Sequence, residues 1–286
     1  MQWREGLRPV DERLEPALCA ADRHRPDLVV TAVLRHVAGR RVTALATDGN
    51  ADVVVKVFHS PRARGNHRRL TALATAGLAD IVPSSFGCDP TGHVGVVGHR
   101  PGVELPTVAG DRWSASCRSA GVALRRLHDS AAELDREWNI DDELTQLRSM
   151  SPVALLPLVD GLVDLAVPDE AALVPSHRDC HPRQLVVDGD RVAWIDLDDC
   201  AMAPAGLDVG NMLAHLTRER ITGRRSEMAT IAARSAFLDG YGDIDTATCR
   251  RWERLSLLRL AGLAETRHHA PAERDALLDE LGALPA

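Results

Sequence analysis

The stretch SHRDCHPRQLVVDGDRVAWIDLDD, residues 176–199, decides how this chain is read. Two apolar runs, Leu185-Val186-Val187 and Val192-Ala193-Trp194-Ile195, flank Asp188-Gly189-Asp190, a composition that supplies the positive φ angles of a tight hairpin turn. A hairpin returns its second strand beside its first. Asp196 is therefore expected to come back near the loop that carries His177, Asp179, His181 and Gln184. An acid in a loop can orient a hydroxyl and accept its proton. A carboxamide further along the loop and a second acid across the hairpin offer hard oxygen donors suited to Mg²⁺. Such a set matches the working end of a phosphoryl-transfer site, where positioning and charge neutralisation supply most of the catalysis. Taken alone, His-x-Asp-x-His with Asp196 downstream also suits a metal-dependent hydrolase.

Outward from the hairpin, the chain changes character near residue 105. Towards the N-terminus, DLVVTAVLRHV and RVTALAT flank Ala38-Gly39-Arg40, and Asp48-Gly49-Asn50 leads into ADVVVKVF, so three antiparallel strands with short turns are expected over 28–58. SPRARGNHRRLTALATAGL follows as a helix, with Leu70, Leu73 and Ala74 at helical spacing and Gly77 at its end. GHVGVVGH reads as one or two further strands. Beyond RPGVEL the pattern is helical: ASCRSAGVALRRLHDS puts Ala120, Ala123, Leu124 and Leu127 on one face, and helical periodicity continues through DDELTQLRSMSPVALLPLVDGLVDLAV. Four more helices are expected after the hairpin, in LDVGNMLAHLTRER, SEMATIAARSAFLDGY, ATCRRWERLSLLRLAGLAETRHH and AERDALLDELGAL. The architecture implied is α+β: a small β-rich lobe with an N-terminal helical extension over 1–98, a connector over 99–106, and a helical lobe with an inserted hairpin over 107–286.

The net charge of −7 disfavours binding to nucleic acid or to an anionic membrane, and would receive a cationic small molecule better. Cys19, Cys88, Cys117, Cys180, Cys200 and Cys249 form no Cys-x-x-Cys pair and no dense framework, which argues for a reducing compartment. The charged opening MQWREGLRPVDERLEP lacks the apolar core of a secretion signal, and no apolar run approaches the ~20 residues that span a bilayer. A soluble cytoplasmic protein is expected.

HRDCHPRQ followed by WIDLDD resembles the aminoglycoside phosphotransferase and choline kinase superfamily, small-molecule kinases with a protein-kinase-like two-lobe fold. That family's loop runs His-Gly-Asp-x-His-x-x-Asn, followed by a hydrophobic strand and Ile-Asp. The resemblance implies that Asp179 handles the substrate hydroxyl, and that Gln184 and Asp196 hold Mg²⁺. It casts His177 and His181 as loop-shaping residues. VVVKVF then offers Lys56 for the phosphates of ATP or GTP, VVGHRPGVEL resembles the connector, GVALRRLHDS the helix ending in Leu-His, and APAGLDVGNMLAHL the segment whose Asp208 braces the loop. The similarity spans roughly residues 28–270. Arg178 replaces the usual Gly, Gln184 the usual Asn, and the helix at 61–76 carries Asn66 where relatives place a Glu that pairs with the lysine. Gly39 alone marks the turn that covers the phosphates in relatives with a glycine-rich loop. The implied partners are nucleotide and a small hydroxyl acceptor, aminoglycosides and other antibiotics included, for a monomer or weak dimer.

From the residues alone, Asp198, Asp199 and Asp208 also fit helix starts, because Asp satisfies free backbone N–H groups there. Asp141, Asp142 and Glu143 complement a helix dipole or grip a cationic substrate. RWERLSLLRL reads as an amphipathic core helix with Trp252 inward. A silent nucleotide- or partner-binding relative of the same fold stays open, because of Gln184 and the missing helix Glu. The hydrolase reading leaves Lys56 and the two-lobe pattern without a role.

Overall fold

The computed structural model describes residues 1–163 and 172–284, so the end of the helical periodicity expected through Val167 lies outside the described residues. The chain divides into two compact units, Met1–Pro101 and Gly102–Ala286.

The first unit contains β1 (Gln2–Trp3), α1 (Glu15–His24), β2 (Val29–Val37), β3 (Arg41–Thr47), β4 (Asp52–Phe58), α2 (Ala63–Leu73), β5 (Ser85–Cys88) and β6 (Val94–Gly98). One sheet orders them β1-β2-β3-β4-β6-β5, antiparallel at every pairing except β1 with β2. The β-branched, period-two sequences of β3 and β4 dictate this. Val42, Ala44 and Ala46 alternate with Val53, Val55 and Val57 on one face, packed with Val94 and Val96 and covered by Leu14, Leu18 and Ala21. The opening residues thus supply α1, the cover of that core. Turns form where Gly39 (φ 65) and Gly49 (φ 92) allow them. At the second, Asp48 Oδ1 accepts from Asn50 N–H at 2.8 Å and Ala51 N–H at 2.9 Å. α2 buries Ala63, Asn66, Leu70 and Leu73, and the chain leaves its helical path at Gly77. GHVGVVGH forms one strand, β6; β5 and β1 carry too little pattern to be read from sequence.

The second unit contains β7 (Val103–Glu104), α3 (Arg112–His128), α4 (Ile140–Met150), α5 (Leu156–Val163), β8 (Leu173–Ser176), β9 (Leu185–Asp188), β10 (Arg191–Trp194), β11 (Ala201–Pro204), α6 (Ala205–Ile221), α7 (Glu227–Tyr241), α8 (Thr246–Thr266) and α9 (Pro271–Ala283). α3 and α7 cross at backbone contact. A Cβ on Gly121 would lie 2.2 Å from the Phe237 carbonyl oxygen, and one on Gly240 would lie 2.1 Å from that of Arg118. α8 is the core helix of the unit: Trp252, Leu255, Leu258 and Ala261 pack with Leu144, Leu147, Val159 and Leu277. Burying each large side chain of this kind contributes about 1.5–3 kcal/mol. The β9–β10 hairpin gains β7, from the RPGVEL segment, as a third strand beside β9, and β8 pairs with β11. Among the described residues no helix is long and apolar enough to cross a membrane. All six cysteines are free thiols.

Candidate active site

The hairpin forms in the register its apolar runs imply, Leu185 opposite Trp194 and Asp188 opposite Arg191. Two further contacts extend it beyond the strands. Ile195 N–H donates to the Gln184 carbonyl at 2.8 Å, and His177 Nε2 meets the Ile195 carbonyl at 2.8 Å. The residue after Ile195 is Asp196, so its backbone emerges beside the loop. It does so in the left-handed region (φ 57, ψ 43), turning the chain sharply from β10 into the short helical turn Leu197–Asp199. Asp tolerates this conformation better than most residues, at a cost of about 1 kcal/mol.

Within the loop, Gln184 Nε2 donates to Asp179 Oδ2 at 3.3 Å and His181 Nε2 lies 3.5 Å from the same oxygen. His181 Nδ1 accepts from Arg183 N–H at 3.2 Å, which leaves its proton on Nε2, towards Asp179. His177 is tied likewise: Nδ1 accepts from Asp179 N–H at 3.3 Å, so Nε2 carries the proton that bonds Ile195. Both histidines hold the loop. Asp179 keeps 48% of its side chain open to solvent, with protein crowding its other sides. That enclosure pushes its carboxyl up. The His181 hydrogen bond and the charge of Arg259 outweigh it and hold the group well below the usual carboxylate range.

The loop is anchored from α6. Asp208, in its first turn and fully buried, accepts from His177 N–H at 2.6 Å and from Arg178 N–H at 2.7 Å. His128, at the Leu-His end of α3, reaches the same carboxylate at 3.2 Å through Nε2 and meets the Tyr241 hydroxyl at 2.9 Å through Nδ1. Burial pushes the Tyr241 hydroxyl up to about 12, so it stays a proton donor. Further along α6, Asn211 Nδ2 donates to the Cys180 carbonyl at 2.9 Å and its Oδ1 accepts from Arg259.

Arg178 adopts φ 68, the conformation for which glycine is the natural occupant. Its guanidinium lies 3.4 Å over the ring of Trp138 and donates to the Asp199 carbonyl at 3.2 Å. Burial, together with the charge of Arg136, pulls it down to about 10, which leaves it protonated at neutral pH. Arg178→Ala keeps the backbone strain and loses the stack, whereas Arg178→Gly loses the stack but relieves the strain. The Gly variant is therefore expected to unfold at higher urea than the Ala variant, with a difference of about 1 kcal/mol. Equal midpoints for the two would show that the left-handed turn carries no cost.

Of the acids at the start of α4, Asp142 and Glu143 are committed within the protein, while Asp141 is exposed. Asn139 and Asp142 form a reciprocal cap, each side chain accepting from the other's backbone N–H at 2.9 and 3.0 Å. Glu143 is buried, accepts from Trp138 Nε1 at 3.0 Å and lies 3.8 Å from Arg259.

Lys56 lies on β4 of the first unit, half-buried, opposite Thr43 and Gly95 and on the sheet face away from Val53, Val55 and Val57. α2 starts over that same face, since a Cβ on Gly95 would touch Ala63 at 3.3 Å. Asn66 is buried there; its Oδ1 accepts from Arg69 at 2.6 Å and its Nδ2 has no hydrogen-bond partner. The Gly39 turn gives its N–H to Asp11 Oδ2 at 2.8 Å, a contact the opening residues gave no hint of.

Asp179, Gln184 and the Asp196 turn are thus brought together by one hairpin, while Lys56 is placed on the sheet of the first unit. Sequence reasoning missed Trp138, Asn211, His215 and Arg259. A signal existed for two of them: Asp208, Asn211 and His215 fall at i, i+3 and i+7, a polar stripe on an otherwise buried helix. Among the described residues no group of three or more His, Cys, Asp or Glu side chains is placed to hold a metal by itself. A surface pocket lined by Leu238, Gly242, Asp243, Ile244 and Cys249 opens between α7 and α8 and shares no residue with the loop.

The sequence profile described as the phosphotransferase enzyme family (APH) matches residues 32–258. No curated protein matches the chain. Among solved structures, a type VIII aminoglycoside-3'-phosphotransferase is 19% identical with a TM-score of 0.64, over 87% of this chain and 99% of its own. Choline kinase LicA from Streptococcus pneumoniae is 15% identical with a TM-score of 0.64, over 94% and 99%. Amicoumacin kinase hAmiN, solved with AMP-PNP, Ca²⁺ and Ami, is 16% identical with a TM-score of 0.65, over 87% and 88%. At these identities the likeness establishes a shared kinase-like fold: an antiparallel-rich sheet unit followed by a mainly helical one.

Proposed function

Since the chain belongs to the phosphotransferase enzyme family, we propose that it transfers the γ-phosphate of ATP or GTP to a hydroxyl of a small polar molecule, a metabolite or an antibiotic. The observation that carries this reading is the convergence of Asp179, Gln184 and the Asp196 turn on one braced hairpin. Asp179 orients the acceptor hydroxyl and takes its proton as the oxygen attacks the γ-phosphorus in line. Held well below the ordinary range, its carboxyl is a weak base. That suits a loose transition state, in which the hydroxyl needs positioning more than early deprotonation. His181 and His177 fix the rotamer and the loop around it.

The donor set fits Mg²⁺: a carboxylate at Asp196 and an amide oxygen at Gln184 are hard oxygen ligands, and Mg²⁺ takes its remaining positions from water and phosphate. Bound there, Mg²⁺ would neutralise charge on the transferring phosphates. Gln184 turns its Nε2 to Asp179, so its carbonyl oxygen is the atom assigned to the cation. Lys56 is assigned to the nucleotide phosphates, in keeping with its place on the sheet face turned from the core. The AMP-PNP bound by amicoumacin kinase supports a nucleoside triphosphate as donor. Free thiols fit a reducing compartment, and the cytoplasm is the proposed location.

Gln184 and the absence of a helix Glu at Asn66 favour one second reading, a relative that binds nucleotide without turnover. Purified protein incubated with γ-labelled nucleotide, Mg²⁺ and a broad acceptor panel separates the two. Label on an acceptor, abolished by EDTA, is expected; nucleotide binding with no transfer would favour the silent relative.

A further inference from the structure

On the basis of the phosphotransferase reading, we propose that His215 orients the acceptor beside Asp179, and that the acceptor presents oxygen functions, not amino groups, next to its reacting hydroxyl. Along α6 the polar stripe has three members. Asp208 is used by the backbone of the loop and Asn211 by the Cys180 carbonyl. His215 stacks on His181 with ring centroids 4.6 Å apart and planes 24° apart, and His181 Nε2 lies 3.5 Å from Asp179. The His215 ring is partly open to solvent, and neither of its nitrogens makes a hydrogen bond within the described residues. A polar ring locked by stacking, with both nitrogens unused and one ring removed from the proposed base, is placed to meet a ligand.

The charges around it choose the ligand. The cation acting on Asp179 is Arg259. Those acting on His215 are Arg259 and Arg218, opposed by Asp179 itself. Burial and the nearby positive charges hold the His215 imidazole well below its ordinary range, so it is neutral and offers one N–H and one lone pair. Glu143, the acid near Arg259, is buried and already committed to Arg259 and Trp138. Arg218 is paired with Glu273 at 2.5 Å. An ammonium beside the reacting hydroxyl would therefore face Arg259 with no uncommitted acid among these groups except Asp179. The overall charge of −7 points the other way, but charges further than about 8–10 Å are largely screened, so the local set decides. A sugar, polyol or nucleoside fits this site; a polyamine does not.

The test uses the whole protein with γ-labelled ATP, Mg²⁺ and a panel that pairs glucose with glucosamine, galactose with galactosamine, and adds nucleosides, kanamycin, streptomycin and choline. The best acceptor is expected to lack an amino group beside the labelled hydroxyl. His215→Phe, which keeps the stack and removes both nitrogens, should raise the KM for that acceptor about three- to tenfold. It should leave the nucleotide KM unchanged and kcat less affected, and His215→Gln should recover most of the loss. Preference for kanamycin, streptomycin, choline or an amino sugar over its hydroxyl partner would overturn the proposal, as would an unchanged acceptor KM in His215→Phe. A wild-type protein that neither transfers nor hydrolyses nucleotide would overturn the phosphotransferase reading and this proposal with it. Transfer with a silent His215→Phe would overturn this proposal alone.

Discussion

Asp179→Asn lowers phosphate transfer by about 10²–10⁴-fold while nucleotide affinity stays within about twofold; that is the expected result, set by the usual contribution of a positioned acid or base. The substitution is nearly isosteric. Gln184 Nε2 at 3.3 Å can still meet the amide oxygen, and His181, whose proton sits on Nε2, can still approach it. The loop should therefore keep its shape. What is lost is the negative charge proposed to accept the acceptor's proton and one of the two oxygens that would aim its hydroxyl. Transfer rates and calorimetric nucleotide titration on the same preparation check both halves. Undiminished transfer would remove Asp179 from the mechanism, and a parallel loss of nucleotide binding would mean the loop had collapsed.

The second large effect is on folding. Asp208→Ala is expected to destabilise the protein by about 3–5 kcal/mol, the cost of breaking a buried charged network by removing one partner. The carboxylate is fully buried and accepts from two loop N–H groups at 2.6 and 2.7 Å and from His128 at 3.2 Å. Alanine leaves all three donors in a dry site, each short of a hydrogen bond worth about 1–3 kcal/mol when left unmade. Asp208→Asn fills the space and keeps one acceptor, so it should lose markedly less. Urea unfolding gives both numbers. A loss under about 1 kcal/mol for the alanine variant would mean that water or a shifted loop replaces the brace at little cost.

The parts of the fold legible in the sequence are those with a strong local period. VVVKVF fixed the face of Lys56 because Val53, Val55 and Val57 had to share the other one. Asp188-Gly189-Asp190 fixed the hairpin register, and with it the return of Asp196 towards Gln184. The strands β7, β8 and β11 escaped because two to four residues are too few for a pattern; each exists only because a partner strand completes it. Arg178 looked like an intruder in a glycine position. The structure shows why: the backbone keeps glycine's conformation, and Trp138, far away in sequence, supplies the cation–π contact that offsets the strain. The acids of α4 illustrate the opposite limit. Their sequence admits both a capping and a substrate-gripping role, and only the contacts of Asp142 and Glu143 decide between them. The polar stripe that carries His215 was legible, but its meaning and that of Arg259 lie in what surrounds Asp179 once α6 and α8 have packed.

The central claim is that this hairpin gathers a base and two oxygen ligands around a nucleotide-bound cation. A crystal structure of the protein with AMP-PNP and Mg²⁺ tests it most directly. A metal ion is expected with an Asp196 carboxylate oxygen and the Gln184 amide oxygen at about 2.0–2.1 Å, and Asp179 facing the γ-phosphate without binding the metal. A nucleotide-bound metal held by neither Asp196 nor Gln184 would contradict it.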